Sequence, residues 1–224
     1  ELEAMQADGD YKLANDIDLS VSPWTPLFTN IASFLGILDG DYHVLIGMTI
    51  LQDAINYNGL VAALGDFSHN GTIKNLLIPD AVITITNYGQ YTGAIAGNNR
   101  GSILNCGVSG IVNSAYQSAL ITGYNDWLIE GCFAEGSVTT TNPYASGIAG
   151  SQSQYAVTRY CYAHVAVTGT SNAGGLLGRN SGGKVIHCFS TGKVVGTSSL
   201  GGLVGSKYTT PPQYEDTGNF WDTV

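Results

Sequence analysis

The sequence has little positive charge and few charges of either sign. Its 224 residues include 8 Lys and Arg against 17 Asp and Glu, so the formal net charge is −9 and the pI is near 4.6. Nucleic acids and anionic lipid surfaces are bound through basic patches, so this composition argues against both as partners. The hydrophobic fraction of 44% is nevertheless sufficient for a folded core, which argues against disorder.

Long apolar runs and strong helix formers are also missing. No apolar run approaches the roughly 20 residues that span a bilayer, so the sequence predicts no membrane insertion. The 30 glycines, beside few Glu, Lys and Arg residues, disfavour a mostly helical protein. The chain begins at Glu1 rather than Met and shows no signal peptide, from which we expect a processed or excised segment.

A repeat of about 27 residues runs through most of the chain. Five short blocks share one pattern, and their last glycines lie 26, 27, 28 and 27 residues apart. The blocks are Gly93–Gly97, Ala119–Gly123, Ser146–Gly150, Gly174–Gly178 and Gly201–Gly205. A weaker copy, Gly59–Ala63, precedes a longer loop, and each block is followed by a predicted turn rich in Asn, Ser and Gly. A fixed period of this length indicates a solenoid.

Each repeat contains β-branched segments and no helical periodicity, which is typical of one coil of a β-solenoid. We therefore predict an all-β fold, a parallel β-helix (β-solenoid) with coils of about 27 residues stacked at roughly 4.8 Å. The chain shows no linker and no shift in composition, which predicts a single domain over 1–224. Within it we expect an irregular N-terminal cap and first coils at 1–58, repeats at 59–205 and a C-terminal cap segment at 206–224.

Matching positions of the repeats should form ladders inside the coils. The predicted ladders are Ile95, Ile121, Ile148, Leu176 and Leu203; Cys106, Cys132, Cys161 and Cys188; and Val112, Val138, Val167 and Val194. The weaker first copy keeps the same offsets with Ile73, Leu76 and Val82. Stacked cysteines keep their Cβ atoms about 4.8 Å apart, whereas a disulfide requires about 3.8 Å, so we predict free, buried thiols. Thiols in a row without a CxxC pair also argue against zinc.

These repeats resemble the GLUG-motif proteins of bacterial surfaces. Gly201–Gly205 has the sequence GGLVG, and the segments Cys132–Val138 and Cys188–Val194 match the Cys-aromatic part of the motif. The resemblance implies right-handed β-helices in large secreted, adhesin-like proteins, some of which are attached to immunoglobulin-cleaving metallopeptidases. This chain departs from the pattern at Ala119 and Ser146. It also contains no His-Glu-x-x-His, so we do not expect metallopeptidase chemistry here.

Aromatic residues recur near the blocks and are the candidate ligand-facing residues. They are Tyr57, Tyr91, Tyr116 and Tyr144 before the blocks, and Tyr124 and Trp127 after one of them. Their spacing predicts a stripe near one corner of successive coils. The stripe is either an external stacking ladder that stabilises the corner or a platform for glycans, whose rings pack on aromatic faces.

Catalytic and metal-binding patterns are weak. A polysaccharide lyase requires converging cations and a base, but the cations here are scattered over different coils. Asp126 and Glu130 are the candidate carboxylate pair for a glycosidase, yet they share one short segment. The Asp residues concentrated before residue 42 are interpreted as turn formers, with structural calcium as the alternative. We expect no other cofactor and no catalytic residue.

The sequence predicts a non-catalytic structural or adhesive module that is extracellular or attached to the cell surface. Because neither end carries a robust predicted cap, we expect end-to-end association with another copy or a flanking domain, giving a surface fibre. One alternative is a glycan-binding module that uses the tyrosine stripe, with surface glycans or host proteins as partners. A polysaccharide-lyase-like enzyme is the other alternative.

Overall fold

The computed structural model describes residues 2–29, 32–52, 56–87, 90–208 and 216–222. One 3-10 helix, Leu2–Ala4, precedes a series of short β-strands. In chain order the strands are β1 Tyr11–Lys12, β2 Ile17–Asp18, β3 Ile37–Asp39, β4 Leu45–Ile46, β5 Thr49–Gln52, β6 Tyr57–Asn58, β7 Val61–Leu64, β8 Thr72–Lys74, β9 Leu77–Ile85, β10 Tyr91–Thr92, β11 Ala96–Asn99, β12 Ser102–Leu104, β13 Gly107–Ser114, β14 Thr122–Asn125, β15 Leu128–Glu130, β16 Phe133–Thr140, β17 Ala149–Gln152, β18 Val157–Arg159, β19 Tyr162–Thr168, β20 Ser171–Gly174, β21 Leu177–Asn180, β22 Lys184–Ile186, β23 Phe189–Thr191, β24 Val194–Val195, β25 Ser198–Gly201, β26 Val204–Lys207, β27 Asp216–Thr217 and β28 Phe220–Trp221.

Three parallel sheets run along the molecule, and each turn of the chain adds one strand to each of them. Sheet A has the order β1-β3-β8-β12-β15-β18-β22-β27, and sheet B has the order β7-β11-β14-β17-β21-β26. Sheet C has the order β5-β9-β13-β16-β19-β23-β28, with β24 also paired to β19. The chain makes about seven turns of about 28 residues. The predicted all-β parallel β-helix is therefore confirmed.

The N-terminal residues continue the same sheets. Strands β1 and β3 belong to sheet A and β5 belongs to sheet C, so the first turns are already wound as a β-helix. The 3-10 helix places Leu2 in the core, and Met5 directly after it is also buried. Glu1 of the predicted N-terminal cap lies outside the described residues, as do residues 209–215 and 223–224 of the predicted C-terminal cap segment.

The interior is built from the ladders that the repeat predicts. All members of the three predicted ladders are buried except Val194, which is half-buried and packs against the core. The register pairs Val112 with Val138, and then Val138 with Val167 and Val167 with Val194. The predicted first member Val82 is wrong. Strand β9 has one extra residue, so Ile83 pairs with Val112 and Val82 points into solvent.

The four cysteines are free and buried, as the ladder geometry predicts. The thiol of Cys132 donates to the carbonyl oxygens of Ile103 and Glu130, at 3.6 and 3.4 Å. Each of the other three thiols likewise contacts the carbonyl oxygen two residues before it and one carbonyl oxygen of the preceding turn. Burial raises the pKa of Cys106 and of Cys161, so both thiols are protonated at neutral pH.

The turns predicted after the blocks begin a few residues later than expected, because the chain first continues as strands of sheet B with polar side chains turned inward. The buried residues are Asn99, Asn125, Gln152 and Asn180, which pair in one register column. Asn99 Nδ2 donates to Asn125 Oδ1 at 2.8 Å, and Asn180 Oδ1 accepts from the backbone N–H of Gly183 at 2.8 Å. These side-chain amides hydrogen-bond to backbone N–H and C=O groups at the corner where the chain leaves sheet B for sheet A.

The last glycine of each block lies against the backbone of the preceding turn. A Cβ at Gly97 would lie 2.7 Å from Asn58 N, and a Cβ at Gly150 would lie 2.7 Å from Ser118 N. Both distances are too short for any side chain, so glycine is required where sheet B packs on the corner strands. This close backbone contact explains why the block ends in glycine.

Candidate functional site

Part of the predicted aromatic stripe forms a continuous stack. Tyr57 and Tyr91 pair in register on β6 and β10, with ring centroids 5.5 Å apart and an interplanar angle of 12°. Tyr124 on β14 extends the row, 5.4 Å from Tyr91 and tilted by 49°. Burial raises the pKa of Tyr91 and of Tyr124, so these hydroxyls stay neutral well into the alkaline range.

Tyr116 and Tyr144 form a separate pair rather than joining that stack. Thr92 pairs with Ser118, so Gln117 instead of Tyr116 holds the position next to Tyr91. Tyr116 packs edge-on against Tyr144 at 6.0 Å. The hydroxyl of Tyr144 accepts a hydrogen bond from Arg179 at 3.3 Å. The stripe is therefore broken at Tyr116, which lies three residues before its block, whereas Tyr57, Tyr91 and Tyr144 lie two residues before theirs.

Trp127 lies in a third cluster, under the long loop that follows the weaker first repeat. His69 of this loop stacks on Trp127 with centroids 3.7 Å apart and an angle of 8°. Phe67 covers the guanidinium of Arg100 at 4.5 Å, and Arg100 Nε lies 3.6 Å from a carboxylate oxygen of Asp126. The side chains of the extra loop thus pack on the next two turns of the solenoid and stabilise its contact with them.

The outer face of sheet A carries paired charges. Lys12, Asp39 and Lys74 lie in one register column. Lys74 Nζ lies 3.1 Å from Asp39 Oδ2, and two turns further Arg159 donates to Glu130 Oε2 at 2.7 Å. Because positively and negatively charged side chains are neighbours along the column, their charges offset each other, and this face is solvated.

The candidate catalytic carboxylates do not form a pair facing one cleft. Asp126 faces Arg100 and Glu130 faces Arg159, so each carboxylate has a cation as its neighbour. A glycosidase needs a second carboxylate across the scissile bond from its general acid. Asp126 and Glu130 do not supply such a pair.

The aspartates before residue 42 accept hydrogen bonds from backbone N–H groups of the N-terminal turns. Asp16 accepts hydrogen bonds from Val44 N and from His43 Nδ1, both at 3.0 Å, and Asp39 accepts one from Asp41 N at 3.0 Å. Such bonds stabilise the charged form, and they lower the pKa of Asp16 and of Asp39. No three His, Cys, Asp or Glu side chains among the described residues converge as a metal site.

The outer face of sheet C is a broad surface that the sequence predictions missed. Its strands are long, with eight residues each in β13 and β16. Side chains from successive turns form four outward columns in register. These columns are Leu77-Gly107-Phe133-Tyr162-Phe189-Phe220, Ser109-Glu135-His164-Thr191, Thr49-Val82-Ile111-Ser137-Ala166, and Leu51-Thr84-Asn113-Thr139-Thr168-Val195. The aromatic residue that follows three of the four cysteines is the sequence signal that points to the first column.

This outer face carries little charge, and about half of its column residues are apolar. Seven large hydrophobic side chains on it are exposed. They are Leu51, Val82, Ile111, Phe133, Phe189, Val195 and Phe220. Glu135 is the charged residue in the middle of the face, while Asp80 sits at the bulge and Lys193 and Asp222 belong to the last turns. Several large exposed hydrophobic side chains on one face make it a candidate interaction site.

Comparisons with known proteins agree with the repeat. Residues 169–195 match the GLUG motif, so the predicted resemblance to GLUG-motif proteins is confirmed. A protein of Evansella cellulosilytica, named as a Gly-rich membrane protein, is 33% identical over 104 residues, which is 44% of this chain and 12% of that protein. Halomucin of Haloquadratum walsbyi is 32% identical over 183 residues, 64% of this chain and 2% of halomucin. The chain thus spans a small fraction of these two relatives.

A solved structure shares the fold. It comes from Bacteroides ovatus, is named as an immunoglobulin A1 protease, and superposes with a TM-score of 0.54 at 18% identity. The match covers 95% of this chain and 76% of that one, which supports the β-helix architecture alone. Within the described residues, no helix combines the length and hydropathy needed to cross a membrane.

Proposed function

We propose that this chain is a non-catalytic, extracellular or cell-surface module that acts as a structural and adhesive rod. The observation that carries the proposal is the set of exposed apolar side chains on the outer face of sheet C, whose strands pair in register over successive turns. The GLUG motif and the surface-type names of the relatives support the location. The separated, cation-paired carboxylates support a role without catalysis.

Adhesion is tested by retention of the chain on immobilised polysaccharides and glycoproteins. We expect the wild-type chain to be retained and Ile111→Lys to be lost from the surface, because Ile111 is an exposed residue at the centre of the face. Ile37→Lys is the matched control, since Ile37 is an equally exposed isoleucine on sheet A. Equal retention of both variants would rule out the face as the adhesive surface.

A non-catalytic role is tested on polyuronate substrates. Incubation of the chain with pectate or alginate should release no unsaturated oligosaccharides, because the cations that a lyase would use are held by Asp39, Asp126 and Glu130. Release of product by wild-type chain, abolished by Arg100→Ala, would assign an enzyme instead.

The tyrosine corner is the site of the alternative, glycan-binding function. Tyr57 and Tyr91 cover each other's ring faces, which supports a stabilising ladder over a platform that needs free faces. Tyr91→Ala distinguishes the two roles. It should lower stability and leave glycan retention unchanged, whereas loss of retention without loss of stability would support the glycan platform.

End-to-end association remains a further part of the proposal. Within the described residues, strands β26 and β28 have a partner strand on one side only. Exposed Phe220 and Trp221 on β28 add apolar surface there. Electron microscopy over a concentration series should show fibres if turns of different molecules stack, and single rods at every concentration if they do not.

A further inference from the structure

Acidic residues are missing from a long stretch of the sequence in its second half. All 17 Asp and Glu residues lie at 1–135 or 215–222. Residues 136–214 contain five cations, which are Arg159, Arg179, Lys184, Lys193 and Lys207, so this stretch has a formal charge of +5 in a chain whose net charge is −9. A local excess of positive charge attracts anionic ligands even when the whole protein is acidic.

One arginine of this stretch has no acidic partner in the part of the chain that the structure describes. Arg100 and Arg159, the other two arginines of the sequence, each have a nitrogen within 3.6 Å of a carboxylate oxygen. Arg179 on β21 points outward, because Asn180 beside it is buried, and its Nη1 donates to the hydroxyl of Tyr144 at 3.3 Å. Its Nε is buried, whereas Nη2, which has no hydrogen-bond partner among the described residues, is not. The guanidinium therefore presents free N–H donors at the surface.

Two tyrosine rings flank this guanidinium. Its carbon lies 5.7 Å from the ring centroid of Tyr144, in the turn before, and 4.6 Å from that of Tyr208, in the turn after. Contacts of a cation with aromatic rings are attractive, and here they hold the long arginine side chain in one place before any ligand arrives. Tyr208 remains 58% exposed, so its ring also offers apolar surface to a ligand at Arg179.

We propose that Arg179, Tyr144 and Tyr208 form a binding site for a uronate residue of an acidic polysaccharide. A carboxylate can accept two parallel hydrogen bonds from Nη1 and Nη2 of Arg179, since Nη1 keeps a second N–H besides the one that Tyr144 accepts. The ring of Tyr208 can pack on the C–H face of the sugar. Ser206, the register partner of Arg179 on β26, is a neutral neighbour for sugar hydroxyl groups. An acidic peptide would pair with the guanidinium but would bring no flat ring for Tyr208.

The test is the binding of hexamers of galacturonate and of mannuronate to the full chain, measured by isothermal titration calorimetry. The wild type should bind at least one of them, more weakly in high salt because the attraction is partly ionic. Arg179→Gln should raise the Kd at least about 10-fold, because the charged pair of donors is lost. Lys193→Gln is the matched control, since it removes one exposed positive charge of the same stretch between β23 and β24 of sheet C, and it should leave the Kd unchanged.

Two further variants keep the test valid if Arg179→Gln lowers stability. Arg179→Lys keeps the charge but loses the planar pair of donors, and its Kd should lie between those of the wild type and Arg179→Gln. Tyr208→Ala should also raise the Kd, whereas Tyr42→Ala, which removes a similarly exposed tyrosine from the N-terminal turns, should not. The urea midpoint of each variant shows whether it is folded.

Two further ligands test the chemical class. A methyl-esterified galacturonate hexamer keeps the sugar rings and lacks the charge, and hexaglutamate keeps the charge and lacks the rings. Each should bind at least about 10-fold more weakly than the galacturonate hexamer. Equal binding of the ester would overturn the role of the guanidinium. Equal binding of hexaglutamate would overturn the polysaccharide as the ligand and assign an acidic peptide instead.

The outcomes separate this site from the proposed adhesive surface. Binding of neither hexamer at millimolar concentration overturns the uronate site, and so does binding that Arg179→Gln leaves intact. Ile111→Lys on sheet C should leave the Kd for the hexamer unchanged, so the adhesive surface and the uronate site can each fail alone. Release of unsaturated product that Arg179→Gln abolishes would support the site and overturn the non-catalytic role.

Discussion

Replacement of Asn125 by alanine tests whether the inward amides of sheet B stabilise the solenoid. Asn125 is fully buried between Asn99 and Gln152 in the register column. Its Oδ1 accepts hydrogen bonds from Asn99 Nδ2 at 2.8 Å and from Trp127 N at 3.3 Å. Its Nδ2 donates to Trp127 O and to Thr158 Oγ1, both at 3.4 Å. Asn125→Ala removes all four contacts at once.

The magnitude follows from these distances. A net contribution of about 1 kcal/mol for each shorter bond and less for each longer one gives a loss of about 3 kcal/mol in the free energy of unfolding. The loss is limited because Asn99 Nδ2 keeps Leu128 O as an acceptor at 3.2 Å. Thr158 likewise keeps its bond to Gln152 Oε1 at 2.8 Å. The Asn99 amide and the Thr158 hydroxyl therefore keep an acceptor, whereas the Trp127 N–H loses Asn125 Oδ1.

Urea unfolding, combined with native-state hydrogen exchange, measures this effect. The exchange of β11, β14 and β17 should accelerate most, since each turn of a solenoid contacts mainly its neighbours. Asn113→Ala is the control, because Asn113 is exposed on sheet C, and it should change stability by less than about 0.5 kcal/mol. If Asn125→Ala behaves like this control, the buried amide column has no stabilising role and the reasoning is refuted.

Three further predictions follow from the core and the N-terminal turns. Denatured, unreduced protein should titrate with four free thiols by a chromogenic thiol reagent, whereas the native protein should react slowly; two protected pairs would contradict the free ladder. Ile148→Asp should cost several kcal/mol by placing an unpaired carboxylate in the core, with hydrogen exchange fastest in the adjacent turns; slight, uniform acceleration would contradict an inward Ile148. Because the N–H of Asp41 and its other partners hold the pKa of Asp39 below 3.8, this stabilisation is present above pH 3.8 and is lost as the pH falls below it. The thermal unfolding temperature should therefore fall less between pH 6 and pH 3 for Asp39→Asn than for the wild type. An equal fall in the two proteins would contradict the assignment of this stabilisation to Asp39.

The parts of the fold that the sequence predicts are those that repeat at a constant period. Ile95, Ile121 and Ile148 recur at fixed offsets, and a parallel β-helix converts a fixed offset into a ladder, so the core residues follow directly. Where the spacing changes by one residue the prediction fails, as at Val82 and Tyr116, because one residue reverses the side of a strand.

The inward asparagines and the outer face of sheet C could not be predicted for a different reason. Asparagine is favoured in turns, and only the hydrogen bonds available at a particular corner decide that Asn99 faces the core instead. The exposed apolar residues of this face lie roughly one repeat apart in the sequence, as Val82 and Ile111 do. Its columns become visible once the register is known, and most of their members look like ordinary strand residues in the sequence.

The direction of the hydrogen bonds between turns has a mechanical consequence. In this β-helix the bonds that join successive strands of a sheet lie along the axis of the rod, so tension applied along that axis acts on one junction between turns after another. Each turn of about 28 residues that comes free adds roughly 95 Å of extended chain in place of about 4.8 Å of rod. A module held at its two ends would therefore lengthen in steps of one turn under load. It would absorb work at each step while the remaining turns kept their structure.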